Sequence, residues 1–139
     1  MTILVVEDNP GDARLVKEAI DTGPVRSTVH LVEDGAAALA FLRRESAVAS
    51  ASRPDLVFLD LNLPIKTGWE VLAEMKVDPV LRRIPVMIWT STRTENEVRR
   101  AYDIGASCYF VKPNDLDAYL GLVQAIVEFW LTRVRRAEG

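Results

Sequence analysis

Five short apolar segments recur along the chain, each followed by a segment with a helical pattern, and this alternation restricts the possible folds. The predicted strands are residues 3–6, 28–32, 56–59, 86–89 and 108–111. Most are almost continuously apolar, as expected of parallel strands covered by helices on both faces. The second contains Thr28 and His30 and is more typical of an edge strand. Because strand–helix–strand crossovers are right-handed, the sequence predicts an α/β fold with a doubly wound, five-stranded parallel sheet, (βα)5.

Start and stop signals delimit the predicted helices. Asn9 before Pro10 is a typical helix start, and Gly23 before Pro24 is a typical end. Further signals are the capping-box pairs Thr67/Glu70 and Thr94/Glu97, a stop at Gly105, and a predicted cap of the fifth helix at Asn114. The small-residue segment 45–53 is predicted to be a loop.

Length and composition exclude several classes of protein. A chain of 139 residues predicts a single domain over 1–139. The net charge of -3 argues against a nucleic-acid surface, which normally needs a basic patch. No apolar window approaches the roughly 18 residues needed to span a membrane. The one cysteine, Cys108, allows no internal disulfide, which favours a cytoplasmic setting.

Five polar side chains fall at predicted strand ends. Glu7 and Asp8 follow the first strand and Asp60 follows the third, while Thr90 and Lys112 end the fourth and fifth. In an open α/β sheet the carboxyl ends of the strands form the usual ligand site. We therefore expect carboxylates, a hydroxyl and one ammonium to converge on a single rim.

This combination favours phosphoryl chemistry on a carboxylate. Clustered acids repel one another unless a cation joins them, and oxygen ligands suit a hard ion such as Mg²⁺. A carboxylate can itself be the nucleophile and form an acyl phosphate, and Asp60 on a central strand is the best candidate. Each residue also has an ordinary structural alternative: a turn for Asp8, a loop start for Thr90, a solvated side chain for Lys112. Their joint placement is what favours function.

The chain resembles the receiver domain of bacterial two-component response regulators from residue 3 to about residue 130. The motifs are "VVEDNP", "LDLNLP" followed by "KTG", then "WTS" and "GASCYFVKP". The resemblance implies a flavodoxin-like sheet and a phosphorelay in which Asp60 accepts a phosphoryl group from a phosphohistidine on a sensor histidine kinase.

The resemblance also implies individual site roles. Asp8 would bind Mg²⁺ directly, Glu7 would bind it through water, and Asp60 and the backbone carbonyl of Asn62 would add further oxygens. Lys112 would contact the phosphoryl group, beside a cis bond to Pro113. Thr90 would shift towards the phosphoryl oxygen, and Tyr109 would follow by changing rotamer. Glu7 departs from the pattern, since many receivers have Asp there.

The last helix is predicted to be apolar on two sides. One stripe would cover the sheet and consists of Leu116, Leu120, Val123, Val127, Trp130 and Val134. A second side contains Ala118, Leu122, Ala125 and Phe129. A helix this broadly apolar needs a second surface to bury. The loop around residues 43–53 or the end of the chain could cover it, but we predict a symmetric homodimer with Leu122, Ala125 and Phe129 as interface residues. By analogy with other receivers, its face would combine the fourth helix, fifth strand and fifth helix.

Two features of the C-terminal segment indicate the partners of the domain. Only a short tail follows residue 130, so we expect no output domain and signalling through protein contacts. The segment "VEFWL" resembles stand-alone receivers that serve bacterial phytochrome kinases.

Two other functions compete with this interpretation. A phosphohydrolase with an aspartyl-phosphate intermediate would carry a second Asp two residues after the first, where this chain has Asn62. A pseudo-receiver, a binding module that keeps the fold without phosphorylation, would have lost the acceptor, the acid pair or the lysine. A nucleotide-binding enzyme is disfavoured because no glycine-rich phosphate loop follows the first strand.

Overall fold

The computed structural model describes residues 1–47 and 53–133, in which five strands alternate with five helices. The strands are β1 (Thr2–Val6), β2 (Thr28–Val32), β3 (Leu56–Leu59), β4 (Val86–Thr90) and β5 (Cys108–Val111). The helices are α1 (Pro10–Thr22), α2 (Gly35–Ala47), α3 (Gly68–Val77), α4 (Glu95–Ile104) and α5 (Leu116–Glu128). A 3₁₀ turn spans Leu81–Arg83, and a π-helical turn, Phe129–Arg133, continues α5.

The strands form one parallel sheet in the order β2-β1-β3-β4-β5, which confirms the predicted fold class. β3 lies at the centre and β2 at an edge, as its composition indicates. The strands are in register at their carboxyl ends, where Val6 pairs with Leu59 and Thr90 pairs with Val111. The residues that follow β1, β3 and β4 therefore emerge along one rim of the sheet.

Alternation along the strands divides the core between the two faces of the sheet. Val5 and Phe58 point to the face covered by α1 and α5, whereas Val6 and Leu59 point to the face covered by α2 and α3. These strand residues are almost completely buried, and each such side chain contributes about 1.5–3 kcal/mol. Burial on both faces explains the continuous apolar runs and gives the rim a rigid base.

Most of the predicted helix boundaries are confirmed. The Asn9 side chain caps α1 by accepting from the Asp12 N–H at 3.0 Å. Thr67 and Thr94 cap α3 and α4 in the same way. Gly105 follows α4 with φ of 129°, a conformation that glycine adopts without the steric cost other residues meet.

The predicted cap of α5 at Asn114 is wrong by one residue. The helix begins at Leu116, so Asp115 occupies the cap position and accepts a hydrogen bond from the Ala118 N–H at 2.9 Å. Both residue types cap helices well, but a carboxylate also interacts favourably with the positive end of the helix.

The predicted inner stripe of α5 is only partly correct. The buried residues of the helix are Tyr119, Val123, Ile126 and Val127. Leu116 is 55% exposed, Leu120 and Trp130 are partly buried against the core, and Val134 lies outside the described residues. Val123 and Val127 belong to both sets, so helical periodicity alone does not separate the two faces.

The predicted loop at residues 45–53 is also only partly testable. α2 continues to Ala47, so the prediction is wrong for residues 45–47, while residues 48–52 lie outside the described part. Among the helices of residues 1–47 and 53–133, none has the length and apolar character needed to cross a membrane.

Candidate functional site

The rim at the carboxyl ends of β1 and β3 holds two buried carboxylates. The Glu7 N–H donates to the Val32 carbonyl at 3.0 Å, and the Asp60 N–H donates to the Val6 carbonyl at 3.1 Å. These bonds extend the sheet by one residue on each strand and so fix where the side chains start. Glu7 is 4% exposed and Asp60 is 7% exposed. Carboxylates this buried need compensating partners.

The loop after β3 is closed tightly around Asp60. The Asn62 N–H donates to Asp60 Oδ1 at 2.9 Å and orients the carboxylate. The Gly68 N–H donates to the Leu61 carbonyl at 3.0 Å, and a Cβ on Gly68 would lie 2.1 Å from the Asp60 carbonyl oxygen. Glycine in the "KTG" motif is therefore a steric requirement of the site.

Ile65, 84% exposed in the same loop, has φ of 68°, an unfavourable conformation for a β-branched residue.

Lys112, from the end of β5, donates to three carboxylates. Its Nζ lies 2.5 Å from Glu7 Oε1, 3.0 Å from Asp60 Oδ2 and 3.1 Å from Asp12 Oδ2. The Lys112 side chain is only 9% exposed. The structure thus brings together Glu7, Asp60 and Lys112 as the sequence predicts, and adds Asp12, which the sequence analysis missed.

One ammonium shared among three carboxylates leaves the rim short of positive charge. Burial works against the charged form of Lys112, but the hydrogen bond to Glu7 and the charge of Asp60 outweigh it and raise the pKa of Lys112. Burial raises the pKa of Glu7 to about 7, with a smaller contribution from the charge of Asp60, even though the hydrogen bond from Lys112 lowers it. The site is therefore suited to a second cation.

The geometry of the acids fits such a cation. Glu7, Asp8 and Asp60 each offer a carboxylate oxygen, and these atoms all lie within 4.8 Å of one another. Glu7 and Asp60 are buried and Asp8 is exposed, so the group opens to solvent on one side. All-oxygen ligands of this kind suit a hard divalent ion. The predicted role of the Asn62 carbonyl stays a prediction.

Thr90 and Tyr109 occupy neighbouring strands on the far side of Asp60. Thr90 is completely buried, and its hydroxyl has no hydrogen-bond partner within the part of the chain that the structure describes. The partly buried Tyr109 donates its hydroxyl to the Thr92 carbonyl at 2.8 Å and so tethers the loop after β4. Its N–H donates to the Tyr102 hydroxyl of α4 at 3.1 Å. Tyr109 therefore links β5 to the loop after β4 and to α4.

The expected cis bond between Lys112 and Pro113 is wrong. Throughout residues 1–47 and 53–133 every peptide bond is trans. The trans form remains the lower in energy even before proline. The Lys112 N–H donates to the Thr90 carbonyl at 2.8 Å, so the β4–β5 pairing places the lysine.

A chain of side-chain hydrogen bonds continues from the rim into the core. The Tyr119 hydroxyl of α5 donates to Asp12 Oδ1 at 2.9 Å and accepts from Trp89 Nε1 at 3.1 Å. Burial raises the pKa of Tyr119, which keeps its hydroxyl protonated as a donor. Two sequence signals point to this chain: an acid in the first turn of the helix that follows the rim, and a tyrosine among the buried residues of α5.

Comparison with known proteins agrees with this geometry. The model of the response regulator receiver domain family matches residues 3–124. Response regulator Rcp1 of Synechocystis sp. is 42% identical over 132 residues, covering 95% of this chain and 90% of Rcp1.

Two solved structures share both the fold and much of the sequence. The Mn(2+)-bound form of Rcp1 superposes with a TM-score of 0.88 at 41% identity, covering 99% of both chains. The phosphorylated cyanobacterial phytochrome response regulator RcpA superposes with a TM-score of 0.90 at 44% identity, covering 99% of this chain and 98% of RcpA. This chain therefore belongs to the response regulator receiver domain family of two-component signalling.

Proposed function

We propose that Asp60 is the phosphoryl acceptor of this receiver domain and that a sensor histidine kinase supplies the phosphoryl group from a phosphohistidine. The observation that carries this proposal is the contact between Lys112 Nζ and Asp60 Oδ2 at 3.0 Å, on a rim that also holds Glu7 and Asp8. A carboxylate held beside a fixed ammonium can be approached by an anionic donor.

The acidic group is the proposed site for Mg²⁺. Asp8 and Asp60 would bind it directly, Glu7 through water, and the Asn62 carbonyl would complete the oxygen ligands. The oxygen-only donor set fits this ion, and the relative Rcp1 has been solved in a Mn(2+)-bound form. A bound Mg²⁺ supplies neutralisation of charge on the phosphoryl oxygens.

The transfer itself needs a nucleophile and a leaving group. An oxygen of the Asp60 carboxylate forms a bond to phosphorus as the P–N bond of the phosphohistidine breaks. The imidazole takes the electron pair of that bond and leaves as a neutral ring, because its other nitrogen has taken a proton from water. Lys112 donates to a phosphoryl oxygen, and the Asn62 N–H keeps the other carboxylate oxygen oriented. Phosphoryl transfer relies mainly on such positioning and electrostatics.

Thr90 and Tyr109 form the proposed switch. The buried Thr90 hydroxyl lacks a partner, and an unpaired buried polar group is unfavourable. A phosphoryl oxygen on Asp60 provides an acceptor for it. Movement of Thr90 then frees space beside Tyr109, whose hydroxyl leaves the Thr92 carbonyl. The loop after β4 and α4 are released, which changes the surface offered to partners.

Intact mass after incubation with Mg²⁺ and acetyl phosphate tests the acceptor. We expect a labile gain of one phosphoryl group that Asp60→Asn and a metal chelator both abolish. Asp103→Asn, which changes an exposed aspartate of α4, is the matched control and should be modified like the wild type.

Absence of the gain, under conditions that modify an established receiver, would instead favour the pseudo-receiver alternative. Continuous release of phosphate from phosphomonoesters would favour the phosphohydrolase. Asn62 argues against the latter because an amide cannot serve as an acid or base.

We propose a phytochrome-type histidine kinase as the partner. RcpA, at 44% identity, is described as a cyanobacterial phytochrome response regulator. Phosphotransfer from a purified phytochrome kinase should label Asp60 faster than transfer from kinases of other sensor classes. Equal rates from all kinases would contradict this choice.

We further propose a homodimer formed through the outer side of α5, with α4 and β5 completing the face. Ala125 is exposed and Phe129 is 55% exposed, whereas Leu122 is partly buried and also packs against the core, so it would form the inner margin of this face. Light scattering should show a dimer that Phe129→Asp converts to a monomer. Leu116→Asp is the matched control, because Leu116 is equally exposed but lies outside this face. A monomeric wild type, with or without phosphorylation, would refute the dimer.

The remaining proposals concern the setting of this function. We propose a cytoplasmic receiver that binds no nucleic acid and catalyses only its own phosphorylation and dephosphorylation. The single cysteine and the net charge of -3 support the location and the lack of nucleic-acid binding.

A further inference from the structure

We propose that Asp12 is a positioning residue for Lys112 and that Tyr119 of α5 holds Asp12 in place. This inference rests on the proposed function, since it assigns a role in phosphorylation of Asp60. It begins from the contact of Lys112 Nζ with Asp12 Oδ2 at 3.1 Å, which joins α1 to the end of β5.

The number of donors on Lys112 shows why a third carboxylate matters. An ammonium has three N–H donors, and Glu7, Asp12 and Asp60 accept all three. A phosphoryl group on Asp60 redirects one donor to its own oxygens, and a divalent ion competes with Lys112 for Glu7. The Asp12 contact is the only one of the three that neither event displaces. Asp12 therefore keeps the Lys112 ammonium in place while its other two contacts change.

The Asp12 carboxylate is itself held from two sides. Oδ2 accepts from Lys112, and Oδ1 accepts from the Tyr119 hydroxyl at 2.9 Å. Tyr119 is in turn fixed by Trp89, whose Nε1 donates to its hydroxyl and whose ring meets the Tyr119 ring edge-on at 5.2 Å. Trp89 and Tyr119 are both buried. The orientation of Asp12 is thus set by the core rather than by solvent.

An ordinary role at the start of α1 does not account for this arrangement. An acid in the first turn stabilises a helix through the macrodipole, and Asp12 occupies such a position. That role requires neither an ammonium from β5 nor a hydroxyl from α5. Asp117 in the first turn of α5 is an exposed acid at the same kind of position, and Asp117→Asn is the matched control.

The test is a double-mutant cycle on the rate of phosphorylation by acetyl phosphate at saturating Mg²⁺. Asp12→Asn should slow the reaction about tenfold in the wild-type background, the usual scale for losing a group that orients a reactive one. In the Lys112→Ala background it should change the rate less than about twofold, because there is no lysine left to position. Tyr119→Phe should also slow phosphorylation, and it should have little further effect on the rate in a protein that already carries Asp12→Asn. Asp117→Asn should leave the rate unchanged.

Other outcomes would overturn the proposal. A purely structural role predicts the same factor for Asp12→Asn in both backgrounds, and dispensability predicts no effect in either. A failure of the wild type to be phosphorylated would overturn the proposed function itself. In that case urea unfolding without metal tests whether Asp12 holds Lys112 in place. The effects of Asp12→Asn and Lys112→Ala on the free energy of unfolding are non-additive if it does and additive if it does not.

Discussion

The unusual protonation of Glu7 predicts that the metal-free protein loses stability as the pH rises towards neutrality. Burial raises the pKa of Glu7 from 4.5 to about 7. Below pH 4.5 the carboxyl is protonated in both the folded and the unfolded chain. Between pH 4.5 and 7 the unfolded chain releases this proton while the folded chain retains it, so folding is disfavoured progressively. Above about pH 7 both forms are ionised and the full penalty is present.

The magnitude follows from the size of the pKa change. One pKa unit corresponds to about 1.4 kcal/mol, so the full penalty is about 3–4 kcal/mol, most of which develops between pH 5 and pH 8. Glu7 is almost completely buried, so solvent screening reduces this little. A domain of this size is stable by roughly 5–15 kcal/mol, which makes the change measurable.

Urea unfolding of the wild type and Glu7→Gln, both in chelator at pH 5, 6, 7 and 8, isolates this effect. The free energy of unfolding of the wild type should fall by about 2–3 kcal/mol relative to Glu7→Gln across the series, and saturating Mg²⁺ should flatten the decline. If the pairing with Lys112 dominated over burial, the pKa of Glu7 would lie below 4.5. The difference between the two proteins would then be constant over this range, and that result would refute the reasoning.

Gly68→Ala should lower the free energy of unfolding by about 2–3 kcal/mol, because its Cβ would lie 2.1 Å from the Asp60 carbonyl oxygen. Gly121→Ala, with nothing within 4 Å, should raise it by about 0.5–1 kcal/mol; urea unfolding that ranks the two equally would contradict the steric argument. Thr90→Val should raise the thermal midpoint of the unphosphorylated protein by removing an unpaired buried hydroxyl worth about 1 kcal/mol, and a lower midpoint would show that the hydroxyl has a partner. Mg²⁺ binding at pH 7 should release about half a proton from Glu7, measured by calorimetry in two buffers with different ionisation enthalpies, whereas equal heats would exclude a protonated Glu7.

The parts of the structure that the sequence predicts well are those set by local patterns. The predicted bounds of β2, β3 and β5 agree with the structure, and β1 and β4 each differ by one residue. Buried parallel strands leave this signal because both of their faces must be apolar. Glu7, Asp60 and Lys112 converge as predicted, since the carboxyl ends of parallel strands share one edge.

The parts that the sequence does not predict depend on how distant elements pack. The contact between Tyr119 and Asp12 joins residues 107 positions apart, and it forms because α1 and α5 lie side by side on one face of the sheet. The periodicity of α5 allows more than one inner face, and only the packing against α1 places Tyr119 inward. No local pattern encodes that choice.

The contact between Lys112 and Glu7 joins residues 105 positions apart, so the rim gains its ammonium only when β5 has joined the sheet. A chain folded only as far as β4 would gather Glu7, Asp8 and Asp60 without an ammonium, and their mutual repulsion would oppose that assembly. Docking of β5 relieves the repulsion and closes a loop of 105 residues, and the entropic cost of closing a loop grows only slowly with its length. Partly folded chains would therefore lack the charge balance needed to accept a phosphoryl group, so a signal would come only from finished molecules.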